Sequence, residues 1–244
     1  MKTLGVIGGL GPMATAYYLE LVIQMTDASC DQEHIPMIIY NRPDTPDRTR
    51  YILGLSNDDP QRLMVETGRA LVRQGAECLV IPCITAHYFH AYLEAQIGKP
   101  LLNLVEETVN HLKQFGFRRA GIMATDGTIR SALFQQELER QGMEAVLPSP
   151  AGQEKVMHLI YQNVKAGKPL EMDLFRQVEQ ELREAGAQVI VLGCTELSMI
   201  KKEFPLGPGF LDAMEVLAMR AVQECEAPLK PEYRCLITGQ KTER

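Results

Sequence analysis

Gly75-Ala76-Glu77-Cys78-Leu79-Val80-Ile81-Pro82-Cys83 and Gly186-Ala187-Gln188-Val189-Ile190-Val191-Leu192-Gly193-Cys194 follow one plan. Each is a Gly-Ala turn, an apolar run and a cysteine, and threonine follows at Thr85 and Thr195. A short continuous apolar run bounded by turn signals reads as a strand covered on both faces, as in a parallel sheet. A second match lies upstream, where Leu4-Gly5-Val6-Ile7-Gly8 answers Ala120-Gly121-Ile122-Met123-Ala124. Cys83 and Cys194 are 111 positions apart, and Gly5 and Gly121 are 116 apart. Two matches so nearly in register point to two similar α/β halves.

The remaining elements alternate in the same way. Residues 3–8, 36–41, 77–82, 100–104, 119–125 and 188–193 read as strands. Helical spacing marks residues 59–74, 105–115, 156–164, 170–185 and 211–224, with further helices opening near Met13 and Ile129. Strands separated by helices build βαβ units. The tail after Pro228 is polar and reads as irregular.

Composition narrows the function. Of 244 residues, 45% are apolar and 23% charged, enough for a sizeable core and unlike a disordered chain. A net charge of −6 offers no basic surface for nucleic acid or an anionic membrane. Without Trp, and with 6% aromatics, there is no stacking platform for bases. No run of about 18 apolar residues exists to span a bilayer.

The six cysteines, at 30, 78, 83, 194, 225 and 235, lack C-x-x-C spacing, so zinc-ribbon and thioredoxin chemistry are not indicated and no metal is expected. A chain of this size needs no disulfide staples, and reduced thiols in the cytoplasm are expected. Lys2, the apolar run 4–13 and Ala14-Thr15-Ala16 imitate a signal peptide. Four glycines and a proline in that run read instead as a strand ending in a loop.

In a parallel α/β sheet, ligands gather at the carboxyl ends of the strands. Cys83 and Cys194 both stand there, each at a strand-to-helix turn where a helix N-terminus favours the thiolate. If the halves face one another, the two sulfurs approach one cleft from opposite sides. One thiolate can remove a proton from a carbon while the other thiol delivers one from behind, and the centre inverts. A racemase uses such equal groups in both directions. A single cysteine usually reads as a small buried hydrophobe. Cys30, Cys78, Cys225 and Cys235 stay in that class.

Pro82-Cys83-Ile84-Thr85-Ala86-His87 resembles the first cysteine signature of the aspartate/glutamate racemases, and Val191-Leu192-Gly193-Cys194-Thr195-Glu196-Leu197-Ser198 resembles the second. Gly8-Gly9-Leu10-Gly11-Pro12-Met13-Ala14-Thr15-Ala16, Pro46-Asp47-Arg48-Thr49-Arg50-Tyr51-Ile52-Leu53-Gly54 and Ala124-Thr125-Asp126-Gly127-Thr128 are similar to the aspartate racemase branch. The resemblance covers about residues 1–220. It implies an α/β fold of two pseudo-symmetric parallel-sheet domains with the active site in the cleft between them. It also implies a homodimer and cofactor-independent two-base racemisation of an acidic amino acid, aspartate first and glutamate second, without pyridoxal phosphate. The expected division is residues 1–102 with 210–244, carrying Cys83, and residues 103–209, carrying Cys194. One position departs from the family pattern: Ile84 stands where the first signature usually has Asn, which leaves its backbone N–H to serve the substrate.

An α-carboxylate that becomes enolate-like needs preorganised donors. Thr85 and Thr195 follow the cysteines and can supply hydroxyls and N–H groups. Thr125 and Thr128 can bind a carboxylate through a turn, or serve as N-cap chemistry. A second carboxylate calls for a guanidinium, assigned to Arg48, with Arg42 and Arg50 as neighbours in competition. Lys155 resembles a family lysine that binds substrate. Glu196 is placed to tune the Cys194 thiol or to cap the helix start, and His87 reads as a first-turn helix residue. Two other readings stay open. Gly9-x-Gly11-x-x-Ala14 fits the dinucleotide pattern of an NAD(P)-dependent oxidoreductase, though no acid ends the second strand. The same loop can present the Leu10 N–H to a substrate carboxylate. The cleft could also bind a dicarboxylic acid without catalysis.

Overall fold

A computed structural model of the chain describes residues 1–240. The first half runs β1 (Leu4–Gly8), α1 (Pro12–Met25), β2 (Met37–Asn41), α2 (Arg48–Ile52), α3 (Gln61–Arg73), β3 (Cys78–Val80), α4 (His90–Ile97) and α5 (Leu104–Gln114). Then come β4 (Arg119–Ala124), α6 (Asp126–Arg130), α7 (Leu133–Arg140), β5 (Glu144–Val146), α8 (Pro150–His158) and α9 (Met172–Glu184). The chain continues with β6 (Val189–Gly193), α10 (Thr195–Glu203), β7 (Phe210–Asp212) and α11 (Ala213–Glu224).

The strands form two parallel sheets, ordered β2-β1-β3 and β5-β4-β6-β7. In both, the first strand of the half is central and the strand leading to the cysteine lies beside it. The repeat seen in the sequence is thus a repeat of topology.

Packing explains why the repeated residues are Gly and Ala. Gly75 and Gly186 have φ of +101° and +91°, a region that side chains beyond glycine rarely adopt. The Gly75 N–H reaches Val72 O at 3.0 Å and the Ala76 N–H reaches Leu71 O at 3.0 Å. Gly186 and Ala187 repeat this on Arg183 O (2.9 Å) and Leu182 O (3.0 Å), closing the carboxyl ends of α3 and α9. The alanine methyls then seat on the central strands. A Cβ on Gly5 would lie 2.7 Å from Ala76 Cβ, and one on Gly121 would lie 3.1 Å from Ala187 Cβ. One interlock serves both halves.

Alternation along the strands divides the core. Leu4, Val6, Val80, Ile122, Val189 and Val191 point into a large cluster that also holds α1, α5 and α11 side chains. Their neighbours Ile7, Leu79 and Ile81 face the outer helices of the first half. Met123, Ile190 and Leu192 do so in the second. Burying each such side chain contributes about 1.5–3 kcal/mol before chain entropy is counted.

Three local readings are adjusted, and two strands appear that no sequence pattern marked. Residues 100–104 keep a single parallel bridge, Leu79 to Leu101, because Asn103 accepts the Val105 and Glu106 N–H groups and starts α5 at once. β5 and β7, three residues each, are too short to show a pattern and emerge from pairing with β4 and β6. The helix expected from residue 211 starts at Ala213, since Asp212 caps it by accepting the Met214 N–H. The helical stretch 156–164 is the end of α8 followed by a π-helical turn, Leu159–Val164. Among the described residues, no helix is long and apolar enough to cross a membrane.

Candidate active site

Cys83 follows β3 and Cys194 follows β6, and both have extended backbones, with φ, ψ of −159°, 107° and −148°, 134°. Each carbonyl accepts an N–H three residues on, from Ala86 at 3.2 Å and Leu197 at 2.9 Å. The two cysteines therefore take the same cap position, one on a 3-10 turn (Ile84–Phe89) and one on α10. Both line a single cavity with Leu10, Asp47, Arg48, Thr49, Ile84, Thr85, Thr125, Tyr161, Lys165, Thr195 and Glu196. His87 supports the first turn from behind: it is buried, its Nδ1 lies 3.0 Å from Cys83 O, and burial pushes its pKa down to about 4.

Two cations line the cavity. Arg48 is 7% exposed; its Nη1 donates to Thr45 O (3.2 Å) and Pro46 O (2.9 Å), and its Nη2 donates to Leu10 O (3.1 Å). A guanidinium has five donors, so two remain, and its buried Nε has no partner. Burial works against its charge, but Cys83 and Asp47 raise the guanidinium above its ordinary pKa. Lys165 lies 3.0 Å from Glu196 Oε1 and over the Tyr161 ring. Burial opposes its charge too, yet Glu196 and Cys194 hold its pKa well up.

Glu196 joins Lys165 to the second cysteine. Cys194 Sγ donates to Glu196 Oε2 at 2.9 Å. Burial first, and then the adjacent carboxylate, push the Cys194 thiol well above the usual cysteine range. A neighbouring negative charge disfavours a thiolate, so Glu196→Gln is expected to lower the pH at which Cys194 loses its proton. The limb of the pH–rate profile that reports this proton should move down by about one pH unit. An unmoved limb would separate Glu196 from the thiol.

Threonine hydroxyls hold the halves together beneath the cavity. Thr85 Oγ1 lies 2.9 Å from Thr125 Oγ1 and 3.0 Å from Thr128 Oγ1, which are 3.1 Å apart. Gly127 is needed here, because a Cβ would sit 3.0 Å from Thr49 Cα. Above, the Tyr161 hydroxyl donates to Asp47 Oδ2 at 3.2 Å. With this contact made, the cavity between the cysteines holds only about 10 Å³. A neighbouring cavity of about 380 Å³, lined in part by Asp47, Arg48, Lys165 and Glu196, opens onto the same side chains. A larger cavity of about 640 Å³ lies elsewhere, along α5 and α11, and its lining includes no cysteine.

A model of the Asp/Glu/Hydantoin racemase family matches residues 7–221. The chain belongs to that family. It is 26% identical over 231 residues to the broad specificity amino-acid racemase RacX of Bacillus subtilis, covering 90% of this chain and 96% of that one. It is 32% identical over 148 residues to the glutamate racemase of Deinococcus radiodurans, covering 57% of this chain and 49% of that one. The solved structure of Picrophilus torridus aspartate racemase superposes with a TM-score of 0.81 at 27% identity, covering 97% of this chain and 99% of that one.

Within this racemase frame, Cys83, Cys194, Leu10, Arg48, Ile84, Thr85, Thr125, Thr195 and Glu196 come together at one cavity. Leu10 meets Arg48 through its carbonyl, whereas the sequence pointed to its N–H. Ile84 is 2% exposed and packs into the large shared cluster. Thr128 is fully buried and acts on the cavity through Thr85 and Thr125. Lys155 is partly exposed on α8 and is not among the cavity-lining residues; Lys165 is. Sequence reading also passed over Tyr161 and Asp47. A signal was present, since Tyr161 and Lys165 are four apart at the end of a helical stretch and share a face. The glycine-rich loop has its own packing reason at Gly9, where φ is +95° and a Cβ would lie 2.4 Å from the Arg42 backbone.

Proposed function

We propose that the chain racemises an acidic amino acid, aspartate first and glutamate second, using Cys83 and Cys194 as paired acid and base and no pyridoxal phosphate. The observation that carries this reading is the common cavity of the two thiols, with Arg48 keeping two donors for a carboxylate. In one direction, a Cys83 thiolate takes the α-proton while the Cys194 thiol gives its proton to the opposite face. The reaction leaves a Cys83 thiol and a Cys194 thiolate, and the reverse direction exchanges the roles. The raised pKa of Cys194 suits it to be the thiol of the resting enzyme, and Lys165 offsets the charge of the thiolate formed on it. Donors from Thr85, Thr195 and the Ile84 N–H support the enolate-like carboxylate. Arg48 takes the side-chain carboxylate.

The Picrophilus relative is named an aspartate racemase, which supports aspartate; the Bacillus relative is named for broad specificity. The same reading places the enzyme in the cytoplasm as a homodimer, with domains of residues 1–102 plus 210–244 and 103–209. β7, at the start of the 210–244 segment, hydrogen-bonds to β6 of the second sheet. Incubation with L- and with D-aspartate, resolved by chiral chromatography, should converge on equal amounts of both enantiomers. No conversion of aspartate or glutamate would sink the proposal.

A further inference from the structure

Two further thiols meet far from the active-site cavity. Cys78 Sγ, at the start of β3, lies 3.1 Å from Cys225 Sγ, the residue that ends α11, although 147 positions separate them. Both are free and buried, at 3% and 0% exposure. Sulfurs at that distance are closer than two that merely pack, and one thiol donates to the other.

The surroundings assign different roles to the pair. The Lys2 backbone N–H donates to Cys225 O at 3.0 Å, and the Cys78 N–H points to Thr3 O at 3.5 Å. The N-terminal segment is thus laced alongside both sulfurs, and it begins at an exposed Met1. The Cys225 hydrogen bond favours the thiolate at Cys78 against burial and the Glu224 charge, with a smaller contribution from Lys2, while the same bond holds the proton on Cys225. A thiolate beside a thiol is the arrangement of an attacking and a resolving cysteine.

We infer that Cys78 and Cys225 form a reversible disulfide when the protein meets a peroxide, a modification site separate from Cys83 and Cys194. The Cys78 thiolate attacks one peroxide oxygen; the S–O bond forms, the O–O bond breaks, and hydroxide leaves and is protonated to water. Cys225 then attacks the Cys78 sulfur, the S–S bond forms, and the S–O bond breaks to release a second water with the Cys225 proton. Two thiols are oxidised and one peroxide is reduced to two waters. The bond ties the carboxyl end of α11 to β3, and a thiol reductant restores both cysteines by exchange.

The test treats the whole native protein with dilute hydrogen peroxide, alkylates the remaining thiols, and maps peptides by mass spectrometry without reduction. The expected product joins the Cys78 and Cys225 peptides, is lighter by two hydrogen atoms, and disappears on adding dithiothreitol. The two peptides should leave the alkylated fraction together. The tethered protein should melt several degrees higher than the reduced protein, and Cys225→Ser should lose that rise. If peroxide consumes exposed Cys30 or joins Cys83 to Cys194 while the Cys78 and Cys225 peptides stay alkylated, the inference is overturned. The wild-type map decides the matter even where the variant fails to fold.

Discussion

Cys83→Ala and Cys194→Ala are each expected to lower kcat for aspartate racemisation by about 10²–10⁴-fold, in both directions. The symmetry of the loss follows from the mechanism. Each turnover needs one group to take a proton and another to give one, and the reverse turnover needs the same two groups in exchanged roles. Neither cysteine has a substitute at its strand end. Thr85 and Thr195 are nearby but carry hydroxyls far too weakly acidic, and Glu196 is already engaged by Cys194 and Lys165. The fold should survive, because each change removes one sulfur from a buried site and costs on the order of 1 kcal/mol. Circular dichroism and melting would verify this. If either variant kept full turnover in one direction, the paired-base reading would fail.

Lys165→Ala is expected to lower kcat/KM by about 10²-fold, because it strands the Glu196 carboxylate in a buried site beside Cys194. Glu196 is 6% exposed and its Oε1 is held by Lys165 at 3.0 Å. Without the ammonium, the carboxylate's repulsion falls on the thiol, whose pKa rises further, and a Cys194 thiolate becomes harder to form. Because the two enantiomers have equal free energy, the loss in kcat/KM should be the same in both directions. Lys165→Arg should recover part of it, because the charge returns at a different length. Lys155→Ala, ten residues earlier and outside the cavity, should change steady-state parameters little. Equal losses at both lysines would contradict the placement of the cation at 165.

What could be read from the sequence was what the sequence encodes locally. Gly75, Gly186 and the alanines after them show the turn because positive φ and a small methyl are requirements of single residues. The apolar runs before Cys83 and Cys194 show the strands because both faces are covered, and the signatures that follow them line one cavity. Lys165 was harder to see. The i, i+4 spacing of Tyr161 and Lys165 puts them on one face, but the π-helical turn at Leu159–Val164 is what the sequence does not announce. β5 and β7 were hidden for a different reason: three residues give no period, and their strand character exists only through pairing with β4 and β6. Ile84 shows the limit of substituting one residue in a motif. The sequence marks the missing Asn, but only the packing shows the side chain buried in the shared core.

The most direct test of two thiols acting from opposite faces is racemisation of one aspartate enantiomer in D₂O, stopped early, with deuterium measured at Cα of each enantiomer. The account requires the newly formed enantiomer to carry nearly complete deuterium while recovered starting enantiomer carries almost none, because the group that donates is not the group that abstracted. Equal deuterium in both enantiomers would mean that a single base serves both faces, and would contradict it.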